Sequence, residues 1–206
     1  MIIKICGLRM IEHALVAAEA GADLVGFVFA PSRRQVSAAA AAEIAAAVRA
    51  LPAPHPLVVG LFVNAPAVEI NAVAESVGLD LVQLSGDEPL AAAAGIGLPI
   101  IKTVRMDGSD REAAWIAAGV RLLVDAHVPG AYGGTGARAD WRQAAGLARR
   151  APLILAGGLD PANVAAAKAH VRPWGVDVSS GVEAGGTKSA ALIRAFIAAA
   201  RAAAAL

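Results

Sequence analysis

The feature that most constrains this chain is a regular alternation of short apolar runs with longer, often alanine-rich segments. The runs are rich in β-branched residues, which predicts buried strands, and the segments between them have helical spacing. Eight strand–helix units of about 26 residues each fill the 206 residues. The predicted strands are Ile2–Cys6, Leu24–Ala30, Leu57–Val63, Leu81–Leu84, Pro99–Val104, Arg121–Asp125, Pro152–Ala156 and Gly175–Val178.

Strict alternation of this kind requires a parallel sheet with helical crossovers. Eight units close naturally into an α/β fold of the (β/α)8 TIM barrel type, which we predict as one domain over residues 1–206. An open doubly wound sheet is the alternative. That fold more often carries a G-x-G-x-x-G turn after its first strand, where this chain has Cys6-Gly7-Leu8-Arg9.

Polar residues mark where several helices are expected to begin. Ser37 is a predicted N-cap of the second helix and Asn64 of the third, with Pro66 in the first turn, where its missing N–H costs nothing. Asp140 is expected to cap the helix after the sixth strand. Asp160 is expected to open the helix after the seventh.

The composition excludes several classes of protein. Hydrophobic residues make up 57% of the chain, but many are alanine, and no uninterrupted apolar stretch reaches the roughly 18 residues of a membrane span. The apolar stretch 190–206 comes closest, and Arg194 and Arg201 interrupt it. The chain begins with a strand rather than a signal sequence, and its single cysteine suits a reducing compartment, so we expect a cytoplasmic protein.

The charged residues and histidines give no support for nucleic-acid or metal binding. The net charge is +1 and the basic residues are scattered along the chain. The four histidines lie far apart and show no paired ligand spacing.

The residues at the strand exits are the candidates for function, because the carboxyl ends of barrel strands form the active-site face. These candidates are Cys6, Ser32 to Arg34, Gln83, Ser85, Lys102, Arg105, Asp125, Gly157, Gly158, Asp177 and Ser179 to Gly181.

Lys4 and Cys6 share one face of the first strand, because side chains alternate along a strand. Burying Lys4 inside a barrel requires a carboxylate partner, and Asp125 and Asp177 are the candidates. A structural ion pair is favoured over a direct role for Lys4 in the reaction.

The exits of strands seven and eight have the character of a phosphate site. Gly157-Gly158 and Ser179-Ser180-Gly181 offer backbone N–H groups that no large side chain shields, at a place where barrels often bind phosphate. The alternative is that these glycines only make tight turns.

Cys6 and Asp125 form a possible base and acid across one cavity, which suits proton transfer. A free thiol has a pKa of roughly 8.5, so a nearby cation is needed to populate the thiolate. Covalent catalysis is less favoured, because a nucleophilic cysteine needs a histidine as its base. The only histidine near a strand exit is His127, which lies in a loop beyond Asp125. Asp125 could instead cap a helix or pair with Lys4.

A series of short motifs stands in order at these exits. They are KICG at 4–7, GFVFAPSRRQVS at 26–37, GLFVN at 60–64, VQLSGDE at 82–88, LLVD at 122–125, GGTG at 133–136, LAGGLDPANV at 155–164 and DVSSGVE at 177–183. With them the chain resembles the phosphoribosylanthranilate isomerase family, over essentially its whole length.

The resemblance implies specific roles. Cys6 matches the family's general base, Asp125 its general acid, and Arg34 the arginine that holds the anthranilate carboxylate. The family's phosphate-binding loops are matched by Gly157, Gly158, Ser180 and Gly181. Asp177 and Ser179 are the other positions expected to bind substrate. The family commonly has histidine where Ser85 stands, so any orienting role of that histidine does not carry over.

The implied reaction is the Amadori rearrangement of N-(5-phosphoribosyl)anthranilate to 1-(2-carboxyphenylamino)-1-deoxyribulose 5-phosphate, in tryptophan biosynthesis. It needs no cofactor and no metal, and the expected partner is this small phosphosugar-anthranilate substrate, with neither nucleic acid nor membrane involved. The chain is expected to be a monomer or a homodimer. The sequence leaves open whether the enzyme also acts on a second substrate, from histidine biosynthesis.

Two other classes compete with this interpretation. A neighbouring phosphate-binding barrel, such as an indoleglycerol-phosphate synthase or a sugar-phosphate epimerase, would need a lysine acid with glutamates or a metal-ligand set at the strand ends. A non-enzymatic protein that binds phosphorylated metabolites would have no need for Cys6 and Asp125 together.

Overall fold

The computed structural model describes residues 1–105, 112–126 and 139–202 of the chain. Eight strands form a closed barrel in the order of the sequence, and each is parallel to its neighbours. The strands are β1 (Ile2–Cys6), β2 (Leu24–Val28), β3 (Leu57–Phe62), β4 (Leu81–Leu84), β5 (Ile100–Arg105), β6 (Arg121–Asp125), β7 (Leu153–Leu155) and β8 (Gly175–Val178). The prediction of a (β/α)8 TIM barrel is therefore confirmed.

Helices follow most of the strands. They are α1 (Ile11–Glu19), α2 (Ala38–Arg49), α3 (Ala67–Val77), α4 (Glu112–Ala117), α5 (Trp141–Ala148), α6 (Val164–Val171) and α7 (Ala190–Arg201). After β4 the chain makes only a 3-10 helix, Leu90–Gly95, which begins after Pro89. Among the described ranges, no helix is long and apolar enough to cross a bilayer.

A short extension lies between β8 and α7. A 3-10 helix, Ser180–Val182, leads into a two-stranded antiparallel hairpin of β9 (Glu183–Ala184) and β10 (Thr187–Lys188). Gly185 and Gly186 form its turn with φ of +58° and +82°. Two consecutive positive φ values are the backbone of a type I′ turn, which glycine adopts without strain.

A layer of buried aliphatic side chains from β2 to β7 packs inside the barrel. The residues of this layer are Leu24, Val59, Leu81, Ile101, Leu123, Ile154 and Ala156. Fully burying a side chain of the size of leucine or isoleucine stabilises a fold by roughly 1.5–3 kcal/mol. Because this layer plugs the interior, polar chemistry is confined to the carboxyl-end mouth above it.

Helix starts follow the predicted caps at two of the four positions. The Ser37 side chain accepts a hydrogen bond from the backbone N–H of Ala40 at 3.2 Å, and Asp140 accepts from the N–H groups of Arg142 and Gln143. Each such cap is worth about 1 kcal/mol.

The other two caps differ from the prediction. Asn64 has a positive φ of 53° and accepts from the N–H of Asp87 through its side chain, so α3 begins after Pro66 instead. Asparagine tolerates this left-handed backbone because its short polar side chain bonds locally. Asp160 accepts from the N–H groups of Ala162 and Asn163, which makes a turn before α6 rather than the helix itself.

The first and last strands meet along one seam of the barrel. β1 pairs with β8, with Lys4 opposite Asp177. Arg201 at the end of α7 reinforces this closure by donating to the backbone carbonyls of Met1 and Gly21 and to Asp23. Arg201 thereby ties the end of α7 to the start of β1 and to the turn before β2.

Candidate active site

The mouth of the barrel is organised around a buried ion pair between Lys4 and Asp177. The Lys4 ammonium donates to the Asp177 carboxylate at 3.0 Å, and the lysine is fully buried. This confirms the predicted pairing and selects Asp177 over Asp125 as the partner. Burial alone would lower the pKa of Lys4, but the charge of Asp177 and the neighbouring Cys6 raise it well above its ordinary value. Lys4 therefore carries a permanent charge.

Cys6 lies beside this pair at the exit of β1, and its side chain is buried. Burial raises the pKa of the thiol, and the negative charge of Asp177 raises it further. The positive charge of Lys4 lowers the pKa, and Lys188 lowers it weakly. The net direction is upward, so the resting group at neutral pH is the thiol. Lys4 nevertheless supplies the cation that a thiolate requires.

Asp125 ends β6, and its environment favours a protonated carboxyl. Burial raises its pKa, the hydrogen bond from the N–H of Ala126 at 2.8 Å lowers it, and the negative charge of Asp177 raises it again. Arg105, its neighbour in register on β5, opposes the rise. Because Lys4 and Asp177 influence the pKa of both Cys6 and Asp125, the ion pair couples the predicted base and acid.

The loops after β7 and β8, which are predicted to bind phosphate, contact each other closely. Gly157 and Gly158 both have positive φ, 78° and 65°, and a Cβ at Gly181 would lie only 1.9 Å from the carbonyl oxygen of Leu159. The 3-10 helix begins at Ser180, so its first N–H groups have no acceptor within that helix. A cavity of about 40 Å³ lies between these loops and the end of β6; among its lining residues are Asp125, Gly157, Gly158, Asp177, Ser179 and Ser180.

Arg34, from the loop after β2, is buried against the hairpin. Its Nε and Nη2 donate to the two carboxylate oxygens of Glu183, at 2.6 and 3.0 Å. Glu183 also accepts from Lys188 and Arg33, each at 2.9 Å. The guanidinium is thus part of an ionic cluster with Glu183, Lys188 and Arg33.

The pKa of Glu183 reflects this cluster. Burial alone would raise it, but the hydrogen bonds and charges of Arg34 and Lys188 prevail and hold it at about 2. Because this pKa lies below the ordinary carboxyl value, the stabilisation is present above about pH 4.3 and is lost as the pH falls toward 2.

Glu183 is the site residue that sequence reasoning missed. The available signal was the Gly185-Gly186 pair between Ala184 and Thr187, which is typical of a two-residue hairpin turn. A hairpin directly after β8 would have directed attention to the charged residues at its base, Glu183 and Lys188.

Ser85 belongs to a buried hydrogen-bonded group in the barrel wall. Its hydroxyl lies 2.8 Å from that of Thr103, and Gln83 donates to both hydroxyls, at 3.0 and 3.1 Å. The backbone carbonyl of Ser85 accepts from Arg105. The serine at this position therefore packs the wall beside the site, through neutral contacts.

Lys102, a candidate at the exit of β5, points away from the mouth. Its ammonium donates to Glu88 at 2.6 Å and to the carbonyl of Gly86 at 2.8 Å, and lies 5.6 Å from the centre of the Trp115 ring. Strand alternation explains the difference, because the neighbouring Ile101 is part of the interior layer. Lys102 therefore stabilises the loop after β4 through its contacts with Gly86 and Glu88.

Two features of the sequence analysis lie outside the described residues, namely His127 and the Gly133–Gly136 motif. Within the described ranges, no group of three or more His, Cys, Asp or Glu side chains could hold a metal ion.

Comparison with known proteins places these residues in a family. The model of the family described as N-(5′-phosphoribosyl)anthranilate (PRA) isomerase matches residues 3–199. The N-(5′-phosphoribosyl)anthranilate isomerase of Roseiflexus sp. (strain RS-1) is 57% identical over 209 residues, covering 98% of both chains.

Solved structures agree with this match. A phosphoribosyl anthranilate isomerase in complex with reduced 1-(o-carboxyphenylamino)-1-deoxyribulose 5-phosphate is 38% identical, with a TM-score of 0.82 over 98% of this chain and 99% of that one. Monomers generated from the dimeric enzyme of Thermotoga maritima are 36% identical, with a TM-score of 0.83 and the same coverage.

Proposed function

The chain belongs to the N-(5′-phosphoribosyl)anthranilate isomerase family, and we propose that it performs the family's reaction with Cys6 as general base and Asp125 as general acid. The reaction is the Amadori rearrangement of phosphoribosylanthranilate in tryptophan biosynthesis. Membership of this family sets aside the other phosphate-binding barrels and the non-enzymatic alternative.

In the proposed mechanism the two proton transfers are separate steps. Asp125 donates a proton to the ribose ring oxygen as the C1–O bond breaks, and the nitrogen lone pair forms the iminium. The Cys6 thiolate then removes the proton from C2, and that electron pair forms the C1–C2 double bond of an enolamine. Tautomerisation gives the ketone, leaving Asp125 as carboxylate and Cys6 as thiol, so one proton must return to Asp125 before the next turnover.

The observation that carries this assignment is the buried ion pair of Lys4 with Asp177 beside Cys6. A thiol with a raised pKa is a poor base unless a cation stabilises the thiolate when it forms. Asp125, whose pKa burial raises, is suited to the opposite task of holding a proton. The experiment that tests the proposal is to add phosphoribosylanthranilate to the protein and follow the loss of anthranilate fluorescence; unchanged fluorescence would refute it.

The proposal extends to the setting of the enzyme. We place it in the cytoplasm as a monomer or a homodimer, with the phosphosugar-anthranilate as its partner. One solved relative is described as a dimeric enzyme, which supports the dimeric form.

The proposed phosphate site predicts that inorganic phosphate competes with substrate in the millimolar range. The reason is that the loops after β7 and β8 bring backbone N–H groups around the small cavity next to Asp125. Steady-state inhibition measures the competition, and a crystal soaked in sulfate locates the anion. An anion found elsewhere, with none at Gly158 or Ser180, would contradict the assignment.

Arg34→Ala is expected to raise KM for phosphoribosylanthranilate by at least tenfold, with a smaller effect on kcat. Guanidinium and carboxylate planes match, and a charge-assisted bidentate pair is worth about 1.5–3 kcal/mol. Arg33→Ala is the control, because its side chain is 58% exposed. Equal effects of the two substitutions on KM would rule out Arg34 as the carboxylate-binding residue.

A further inference from the structure

Lys188, at the end of β10, is a buried lysine to which the proposed mechanism assigns no task. Its ammonium donates to the backbone carbonyl of Ser179 at 2.8 Å, to the Ser179 hydroxyl at 3.2 Å and to Glu183 at 2.9 Å. An ammonium has three N–H donors, and these three acceptors occupy all of them. Any role of Lys188 in substrate binding therefore acts through the groups that it holds.

The contact with Ser179 lies at the start of the loop after β8. Ser179 has φ −127° and ψ −78°, which is neither helical nor extended, so its carbonyl does not continue the direction of β8. This carbonyl accepts from the Lys188 ammonium at 2.8 Å and from the N–H of Val182 at 3.4 Å. The shorter, charge-assisted bond is the stronger of the two. Lys188 is thus the main determinant of where the Ser179 carbonyl points.

The Ser179 carbonyl belongs to the same peptide unit as the N–H of Ser180. A trans peptide unit is planar, and its C=O and N–H point in opposite directions. The Ser180 N–H therefore points away from the Lys188 ammonium. Because Ser180 is the first residue of the 3-10 helix, this N–H has no acceptor within that helix and is available to a ligand.

The two sides of this peptide face different spaces. Ser179 and Ser180 line the cavity of about 40 Å³ beside Asp125. Lys188 lines instead a pocket of about 300 Å³ between the start of α1 and the hairpin. Of the described residues, none lines both spaces. The ammonium therefore contacts the peptide from the pocket side, and the Ser180 N–H points toward the cavity.

We propose that Lys188 is a positioning residue for phosphate binding, which holds the Ser179 carbonyl and thereby directs the Ser180 N–H toward the phosphate of the substrate. The proposal rests on the proposed phosphate site after β7 and β8. Its physical basis is preorganisation: a peptide whose direction is fixed before the anion arrives loses less conformational freedom on binding. A direct contact between the Lys188 ammonium and the phosphate is the competing model.

Lys188→Met in the full chain tests the role of the ammonium. Methionine keeps an unbranched stem for the buried space but has no N–H to donate. The inhibition constant of inorganic phosphate and the KM for phosphoribosylanthranilate should each rise by roughly tenfold, about 1.4 kcal/mol of binding free energy, with kcat within about threefold. The inhibition constant of anthranilate, which carries no phosphate, should stay as in the parent protein, because Glu183 keeps its bonds from Arg34.

Lys168→Met is the matched control, since it removes a lysine of the same charge at a distant place. The Lys168 ammonium donates to the carbonyl of Ala200 at 3.1 Å, near the end of α7, and both inhibition constants should stay unchanged in this variant. If Lys188→Met weakened anthranilate binding as much as phosphate binding, Lys188 would support the whole mouth and the positioning role would be wrong. An unchanged phosphate constant in Lys188→Met would overturn the proposal as well.

A crystal of the parent protein soaked in phosphate separates positioning from direct contact, and it keeps the test decisive if Lys188→Met does not fold. The positioning model predicts an anion within hydrogen-bond distance of the Ser180 N–H, with Lys188 still bonded to the Ser179 carbonyl. An anion bonded to the Lys188 ammonium would overturn the proposal. The absence of an anion at Ser180 would refute the phosphate site itself, whereas an anion there that Lys188→Met binds equally well would refute only the role of Lys188.

Discussion

Replacing Cys6 by serine is expected to lower kcat by about 10²–10⁴-fold, the usual contribution of a positioned acid or base. The hydroxyl preserves the shape of the buried site, but its far higher pKa leaves almost no alkoxide for Lys4 to stabilise. Steady-state kinetics with phosphoribosylanthranilate measures the loss, and phosphate inhibition serves as the control for an intact mouth. If Cys6→Ser kept most of the parent kcat while chemistry limited the rate, Cys6 would be a packing residue.

Asp125→Asn is expected to lower kcat by a similar factor of about 10²–10⁴, because the amide has no proton acidic enough to give to the ribose ring oxygen. Asparagine can still accept the hydrogen bond from the N–H of Ala126 that Asp125 accepts at 2.8 Å, so the end of β6 should keep its conformation. The measurement is single-turnover kinetics. Unchanged single-turnover rates would transfer the acid role to another group.

The pH dependence of kcat/KM distinguishes the two roles. In the active form of the enzyme Asp125 is protonated and Cys6 is a thiolate. A carboxyl group ordinarily has a lower pKa than a thiol, so when the two groups share one proton, most molecules carry that proton on Cys6 instead. Activity should therefore fall below the raised pKa of Asp125, where both groups are protonated, and fall again above the raised pKa of Cys6, where neither is.

Each substitution should remove the pKa of the replaced group from this bell-shaped profile. Cys6→Ser should lose the alkaline limb, because the serine hydroxyl does not titrate in the accessible range. Asp125→Asn should lose the limb at the pKa of Asp125, and its activity should instead rise with pH through the higher pKa of Cys6, because the reaction still needs the thiolate. The substrate phosphate titrates near pH 6 in every variant, so the comparison rests on differences from the parent profile. An Asp125→Asn profile that stays flat across the pKa of Cys6 would contradict the assignment of Cys6 as the base.

The strands could be predicted well because parallel barrel strands are buried on both faces and appear as continuous apolar runs. The predicted first and last residues agree with the observed ones for β1, β4, β6 and β8. β2 ends at Val28, two residues before the predicted end, although Phe29 is apolar. Its ring stacks on Phe62 at 5.1 Å and its N–H still donates to the carbonyl of Leu61 in β3, so the apolar pattern continues past the end of the regular strand.

The site was predictable only where alternation along a strand decides which way a side chain points. Alternation placed Lys4 and Cys6 together, but choosing Asp177 as the partner required the register of β1 against β8. The Arg34–Glu183 pair joins residues 149 positions apart through a hairpin, and no local pattern encodes such a contact. Long-range ionic contacts of this kind depend on tertiary structure.

The seam between β1 and β8 has a consequence for the chain as it is synthesised. Lys4 and Asp177 are separated by 173 positions, so β1 remains an open edge until nearly the whole polypeptide has been made. An exposed edge strand of isoleucines would invite pairing with other nascent chains, and a charged side chain on such a strand is a known deterrent. Lys4 places a charged side chain on this open edge, which would disfavour such pairing until β8 supplies Asp177 as its partner.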